Sequence, residues 1–80
     1  MERIEIFSAV KQAVIEKLGV SEDQVVEEAE FVKDLGADSL YLVDIVMELE
    51  EKFKVRVEDS DFEKLKTIKN AVDYIFQKLG

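Results

Sequence analysis

Apolar residues recur at three- and four-residue spacing in three separate stretches of this chain, and nowhere does a clean apolar–polar alternation persist. That is the period of an amphipathic helix and not of a strand. The spacing predicts a first helix over Arg3 to Leu18, with Ile6, Val10, Ala13, Val14 and Leu18 turned inward and Ile4, Phe7 and Ile15 widening the stripe. A second helix runs from Ser39 to Phe53 on Leu42, Ile45, Val46, Leu49 and Phe53. A last one runs from Ile68 to Leu79 on Ile68, Ala71, Val72, Ile75, Phe76 and Leu79, with Thr67 placed to cap it. A short helical turn is expected from Asp59 to Lys64. The fold class is therefore all-α: a four-helix bundle of three longer helices and one short one, in a single domain over residues 1–80.

Glycine marks where the first helix stops. Lys17 lies in its last turn and Gly19 follows, as helix C-termini prefer. The stretch from Gly19 to Asp38 is then a long connection. Ser21 with Gln24 has the spacing of a capping box and predicts one helical turn. Val25, Val26, Ala29, Phe31, Val32 and Leu35 are too apolar for a free loop, so some of them anchor it across the helices. A connection this long in so small a domain is usually functional.

The side-chain chemistry is narrow. There is no cysteine and no histidine, so the chain offers no thiol, no imidazole and no catalytic triad. An enzyme is not expected, and no EF-hand spacing or other metal site occurs. Asp and Glu outnumber Lys and Arg by 19 to 11, a formal net charge of -8. Such a surface repels nucleic acid and anionic membranes and favours basic partners. No apolar run reaches membrane-spanning length and no signal-peptide pattern stands at the N-terminus, so a cytoplasmic monomer is expected.

The second helix carries two apolar faces. At about 100° per residue, Leu42, Ile45, Val46, Leu49 and Phe53 cluster as the core stripe. Leu40, Val43 and Met47 fall on another side, flanked by Asp44, Glu48 and Glu51 on one edge and Glu50 on the other. Ser39 stands at the head of this strip. An acid-rimmed apolar strip reads as a docking surface for a partner with apolar pockets ringed by Arg and Lys. The same spacing serves equally for packing against the last helix or the long connection, and both readings stand.

Asp38-Ser39 before a helix, taken alone, is an ordinary cap. The longer stretch Asp34-Leu35-Gly36-Ala37-Asp38-Ser39-Leu40 resembles, position for position, the modification motif of acyl carrier proteins. The resemblance continues through Val43, Val46-Met47, Leu49-Glu50-Glu51, Phe53, Leu18-Gly19-Val20, Ala71 and Asp73-Tyr74-Ile75, and covers essentially the whole chain. It implies a four-helix bundle with a long first loop. It also implies that a phosphopantetheinyl transferase, using coenzyme A and Mg²⁺, places a 4′-phosphopantetheine arm on Ser39. The arm's thiol, absent from the chain itself, would then carry acyl groups as thioesters. Gly36, Asp38 and Leu40 join Ser39 as the candidate cofactor site. Leu40, Tyr41, Val43, Asp44, Met47, Glu48, Glu50 and Glu51 are the candidate partner face. Phe31, Ile45, Val46, Leu49, Leu65, Ile68 and Ala71 are the candidate lining of an acyl pocket between the second helix and the short one.

The implied partners are the transferase, fatty acid synthase enzymes with basic docking patches, and acyltransferases. Three positions depart from the common pattern. Tyr41 stands where many bacterial members have Asp, Asp44 replaces the commoner Glu, and Val57-Glu58-Asp59 stands where Ile-Pro-Asp is frequent. Losing proline leaves the start of the short helix less rigid. The alternatives are a carrier for polyketide, specialised lipid or aminoacyl chemistry, and an unmodified acidic interaction module.

Overall fold

The computed structural model describes all 80 residues. Helix α1 spans Arg3–Leu18, α2 spans Ser39–Phe53 and α3 spans Ile68–Leu79. The first connection holds a 3₁₀ turn at Glu22–Gln24, and the second holds a 3₁₀ segment at Asp59–Lys64. Helix α1 packs on both α2 and α3. The three long segments and the short one thus occupy the predicted residues, with the short one wound as 3₁₀.

Each helix end has a local cause. Glu2 and Glu5 close a capping box at the start of α1, the Glu2 N–H donating to Glu5 Oε1 at 3.0 Å. Gly19 ends α1 in the left-handed region at φ 70°, its N–H donating to Ile15 O. Thr67 Oγ1 accepts from Asn70 N–H at 3.1 Å, and Asn70 Oδ1 accepts from Thr67 N–H at 3.0 Å. The end of α2 is less usual. Lys54 takes the left-handed conformation at φ 56°, a position that favours glycine. Glu50 organises this exit: its carbonyl accepts from the N–H groups of Lys54 and Val55, and its carboxylate accepts from Val57 N–H at 2.7 Å.

The core is wholly apolar, with 19 buried residues and no buried polar side chain. In a domain this small, most of those residues matter individually, since each fully buried Val, Leu, Ile or Phe contributes about 1.5–3 kcal/mol. The long connection supplies Val25, Ala29, Phe31, Leu35 and Ala37 to that core, while Val26 and Val32 face solvent. Its backbone is tied to the start of α3: Phe31 N–H donates to Lys66 O, Ile68 N–H to Ala29 O and Lys69 N–H to Glu27 O. An isolated antiparallel bridge joins Glu30 to Thr67 within this run. Arg3 clamps the same region from α1, with Glu27 Oε1 at 2.6 Å and Asp73 Oδ1 at 2.7 Å.

Three apolar assignments need correction. Ile4 is exposed, because the first turn of α1 has only the exposed Phe76 beside it. Phe76 and Leu79, predicted to face inward, are also exposed. They lie in the last turns of α3, where Phe76 meets only the chain start around Met1 to Ile4. Helical period puts residues on one face, but it cannot say how far along the helix a neighbour extends.

Candidate functional site

The loop before α2 is built to hold Ser39 out. Asp34 Oδ2 accepts from Glu30 N–H at 2.8 Å, while the N–H groups of Asp34 and Leu35 return to Glu30 O. Leu35 and Ala37 point into the core, and Ala37 N–H donates to Phe31 O at 2.8 Å. Between them Gly36 bends the chain at φ 72°. A Cβ there would touch nothing within 4 Å, so the backbone angle, and not space, asks for glycine. Asp38 is the N-cap: its Oδ1 accepts from Tyr41 N–H at 3.0 Å and its carbonyl accepts from Leu42 N–H.

Ser39 follows as the first helical residue, with its side chain exposed. The N–H groups of Ser39 and Leu40 donate to no acceptor in the protein. They are two of the orphan donors of a helix start, at the positive end of the helix dipole. A phosphodiester on Ser39 Oγ would find donors and favourable charge there, so the residues fit that group.

Down the same helix, Leu40, Val43 and Met47 are 76%, 39% and 56% exposed. Nothing in the fold covers them, which leaves the strip to solvent and removes the packing reading. Asp44, Glu51 and Tyr41 are exposed beside it, and Glu48 is half-buried. Glu50 does not belong to this free rim. Its carboxylate is spent on Val57 N–H, and the residue is half-buried against the core.

A seam lies between α2 and α3, roofed by the segment from Val55 to Leu65. It is lined by Phe31, Leu42, Ile45, Val46, Leu49, Glu50, Val55, Val57, Leu65, Ala71, Tyr74 and Ile75. Six of the seven predicted lining residues meet here. Ile68 does not; it is fully buried elsewhere in the core. Leu42 had been placed on the core stripe, and it is half-buried because it faces this seam. Glu50, Val55, Val57, Tyr74 and Ile75 were not foreseen as lining. For Tyr74 and Ile75 a signal existed, since they lie three and four residues after Ala71 and so share its face. The seam's volume is about 10 Å³, room for one water at most.

Polar ties hold the roof. Tyr74 Oη donates to Asp61 Oδ2 at 2.6 Å, and Lys64 Nζ lies 3.1 Å from the other oxygen of Asp61. The Tyr74 hydroxyl, and then Lys64, hold the Asp61 carboxyl below the usual carboxylate range. The bond to Asp61, with some burial, pushes the Tyr74 phenol above its usual range. Lys78 Nζ stands 5.4 Å from the centre of the same ring.

Comparison with known proteins agrees over the full length. A family model described as a phosphopantetheine attachment site matches residues 8–75. The acyl carrier protein of Thermotoga maritima is 58% identical over 78 residues, covering 98% of this chain and 96% of that protein. The acyl carrier protein of Petrotoga mobilis is 46% identical over 80 residues, covering 100% of this chain and 94% of that one. A solved structure of the acyl carrier protein from Enterococcus faecalis superposes with a TM-score of 0.83 at 35% identity, covering 98% of this chain and 99% of that chain.

Proposed function

This chain belongs to the acyl carrier protein family, and on that footing we propose that Ser39 bears the 4′-phosphopantetheine arm through which it carries fatty acyl chains. The observation that carries the assignment is the exposed Ser39 side chain at the head of α2, between an Asp38 cap and two unpartnered N–H groups. The arm, when bound, supplies a terminal thiol that holds acyl groups as thioesters. The chain's own residues do the rest. Asp38 fixes the first turn, so the Ser39 hydroxyl is presented in one place. The Ser39 and Leu40 N–H groups would serve as donors to the phosphodiester.

The exposed Leu40, Val43 and Met47 strip, with Asp44, Glu48 and Glu51, forms the docking face. It meets the transferase, fatty acid synthesis enzymes and acyltransferases through apolar pockets ringed by basic residues. Charge steering at such a face speeds encounter without holding the partner long, which suits a shuttle. Tyr41 adds a ring and a hydroxyl beside Asp44 and Glu48, and marks partner choice peculiar to this chain. The seam between α2 and the Val55–Leu65 segment is the shelter for the acyl chain. No helix is long and apolar enough to cross a membrane, and the carrier is assigned to the cytoplasm as a monomer.

The test is direct. Incubation with coenzyme A, Mg²⁺ and a promiscuous transferase adds one phosphopantetheine mass to the wild-type protein and none to Ser39→Ala. Modification of Ser39→Ala would move the site elsewhere. An unmodified wild type would end the assignment.

A further inference from the structure

A seam of about 10 Å³ cannot hold an alkyl chain as it stands. A protein cavity known to take up benzene, a six-carbon ligand, measures about 150 Å³. If the chain is sheltered here, as the preceding section proposes and as this inference assumes, one wall must move. Helices α2 and α3 both pack on α1. Phe31 is fixed by backbone bonds at both its N–H and its carbonyl. The remaining wall is the Val55–Leu65 segment. Its 3₁₀ part, Asp59–Lys64, has no buried residue. Its apolar hold on the core is Val57 and Leu65, with Val55 and Phe62 half-buried.

Two polar ties bind that wall. One is Glu50 to Val57 N–H at 2.7 Å, near the end of α2. The other is Tyr74 Oη to Asp61 at 2.6 Å, on the α3 side. The Tyr74 ring also lines the seam, so the same side chain faces both the cargo space and the wall's anchor. Lifting the 3₁₀ segment from α3 stretches the Asp61 bond directly. The two residues are 13 apart in sequence and on different elements, so this bond is not an incidental product of local geometry.

We propose that the Asp61–Tyr74 hydrogen bond is a latch on the movable wall of the seam, and that these two residues help set which acyl lengths the carrier shelters. A longer chain needs a wider opening. Once the opening exceeds what side-chain repacking allows, the latch must break and its free energy opposes sheltering. Short chains leave it intact. The latch therefore acts as a length-dependent threshold, with no contact between Asp61 and the cargo required.

The experiment uses the full chain, loaded on its arm with ω-trifluoromethyl acyl groups of six to twelve carbons. Fluorine NMR reads the ratio of buried to solvent-exposed chain ends for wild type, Tyr74→Phe and Asp61→Asn. Tyr74→Phe keeps the lining ring and removes only the hydroxyl. For the longer chains, the buried-to-exposed ratio rises about two- to tenfold in Tyr74→Phe, the range expected for one hydrogen bond of this kind. It rises in the same direction in Asp61→Asn, and the shortest chain is unaffected in both. Val10→Ala, a buried α1 change outside the seam's lining, lowers stability without moving the ratio. Equal ratios in wild type and Tyr74→Phe at every length, with sheltering present, would overturn the latch while leaving the shelter standing. A rise of the same size in Val10→Ala would also overturn it, since general loosening would then explain the shift. If no chain is buried in any variant, the shelter reading fails, and the latch with it.

Discussion

Asp38 performs one task that can be separated from another. Its carboxylate caps α2 through Tyr41 N–H at 3.0 Å, in the open. Replacing such a cap with alanine costs about 1 kcal/mol, within a range of roughly 0.5–2. Water can reach the freed N–H here, so a value near 1 is expected and not the top of the range. In a domain of this size that lowers the melting temperature by roughly 4–8 °C. Asp38→Asn keeps an acceptor of nearly equal capping strength and loses only the charge, so its stability should fall by no more than a few tenths of a kcal/mol. Urea denaturation of the unmodified protein reads both, with the slope unchanged. The rate of phosphopantetheine transfer is the second readout. A part for the carboxylate in the transfer itself would show as slow transfer by Asp38→Asn at unchanged stability. Equal stability losses in the two variants would refute the hydrogen-bond account and assign the effect to charge at the helix dipole. No loss in Asp38→Ala would refute the cap altogether.

The other predictions concern backbone, face and pH. Lys54→Gly should stabilise the fold by about 0.5–1 kcal/mol, since glycine takes the positive φ at the end of α2 without strain, and thermal denaturation checks it. Gly36→Ala should destabilise by about 1–2 kcal/mol, with Gly36→Asn closer to wild type, because the penalty comes from φ alone. Met47→Glu should change stability by less than about 0.5 kcal/mol yet weaken binding to a basic-patched acyltransferase, as titration calorimetry would read. Asp61 is depressed when folded, so the stability it lends is present above the ordinary carboxylate value of about 4 and lost as pH falls through its lowered value. Tyr74 is raised when folded, so its share is present below about 10 and lost as pH rises through its raised value. Lys64, Lys78 and Glu58 face the pair and shape both limits. The urea-midpoint difference between wild type and Tyr74→Phe should accordingly be flat near neutrality and shrink at both extremes.

Helix positions were readable because three apolar stripes, two interior glycines and two capping residues point to the same boundaries. Asp38 as cap and Ser39 as first helical residue follow from that agreement. What escaped is what depends on neighbours. A wheel could not say whether Leu40, Val43 and Met47 were covered, because coverage is decided by where the last helix and the long connection lie. The Glu2 cap escaped because glutamate is not a favoured N-cap type. Glu50 looked like a rim acid because its partner, Val57 N–H, is a backbone group beyond the helix end that only the exit turn brings near. Lining and core were inseparable for Phe31, Ile45, Val46 and Leu49, and a nearly closed seam explains why: unloaded, they are the same thing.

That closure bears on how the carrier lets go. A permanently open tunnel would fill with solvent behind a departing chain, and each delivery would carry a wetting step. A seam of about 10 Å³ has no room for such flooding. If the seam shelters the chain as proposed, its walls can meet as the last methylene leaves, so the apolar contact regained inside the protein offsets part of the work of drawing the chain out. On that reading each release exchanges one dry contact for another.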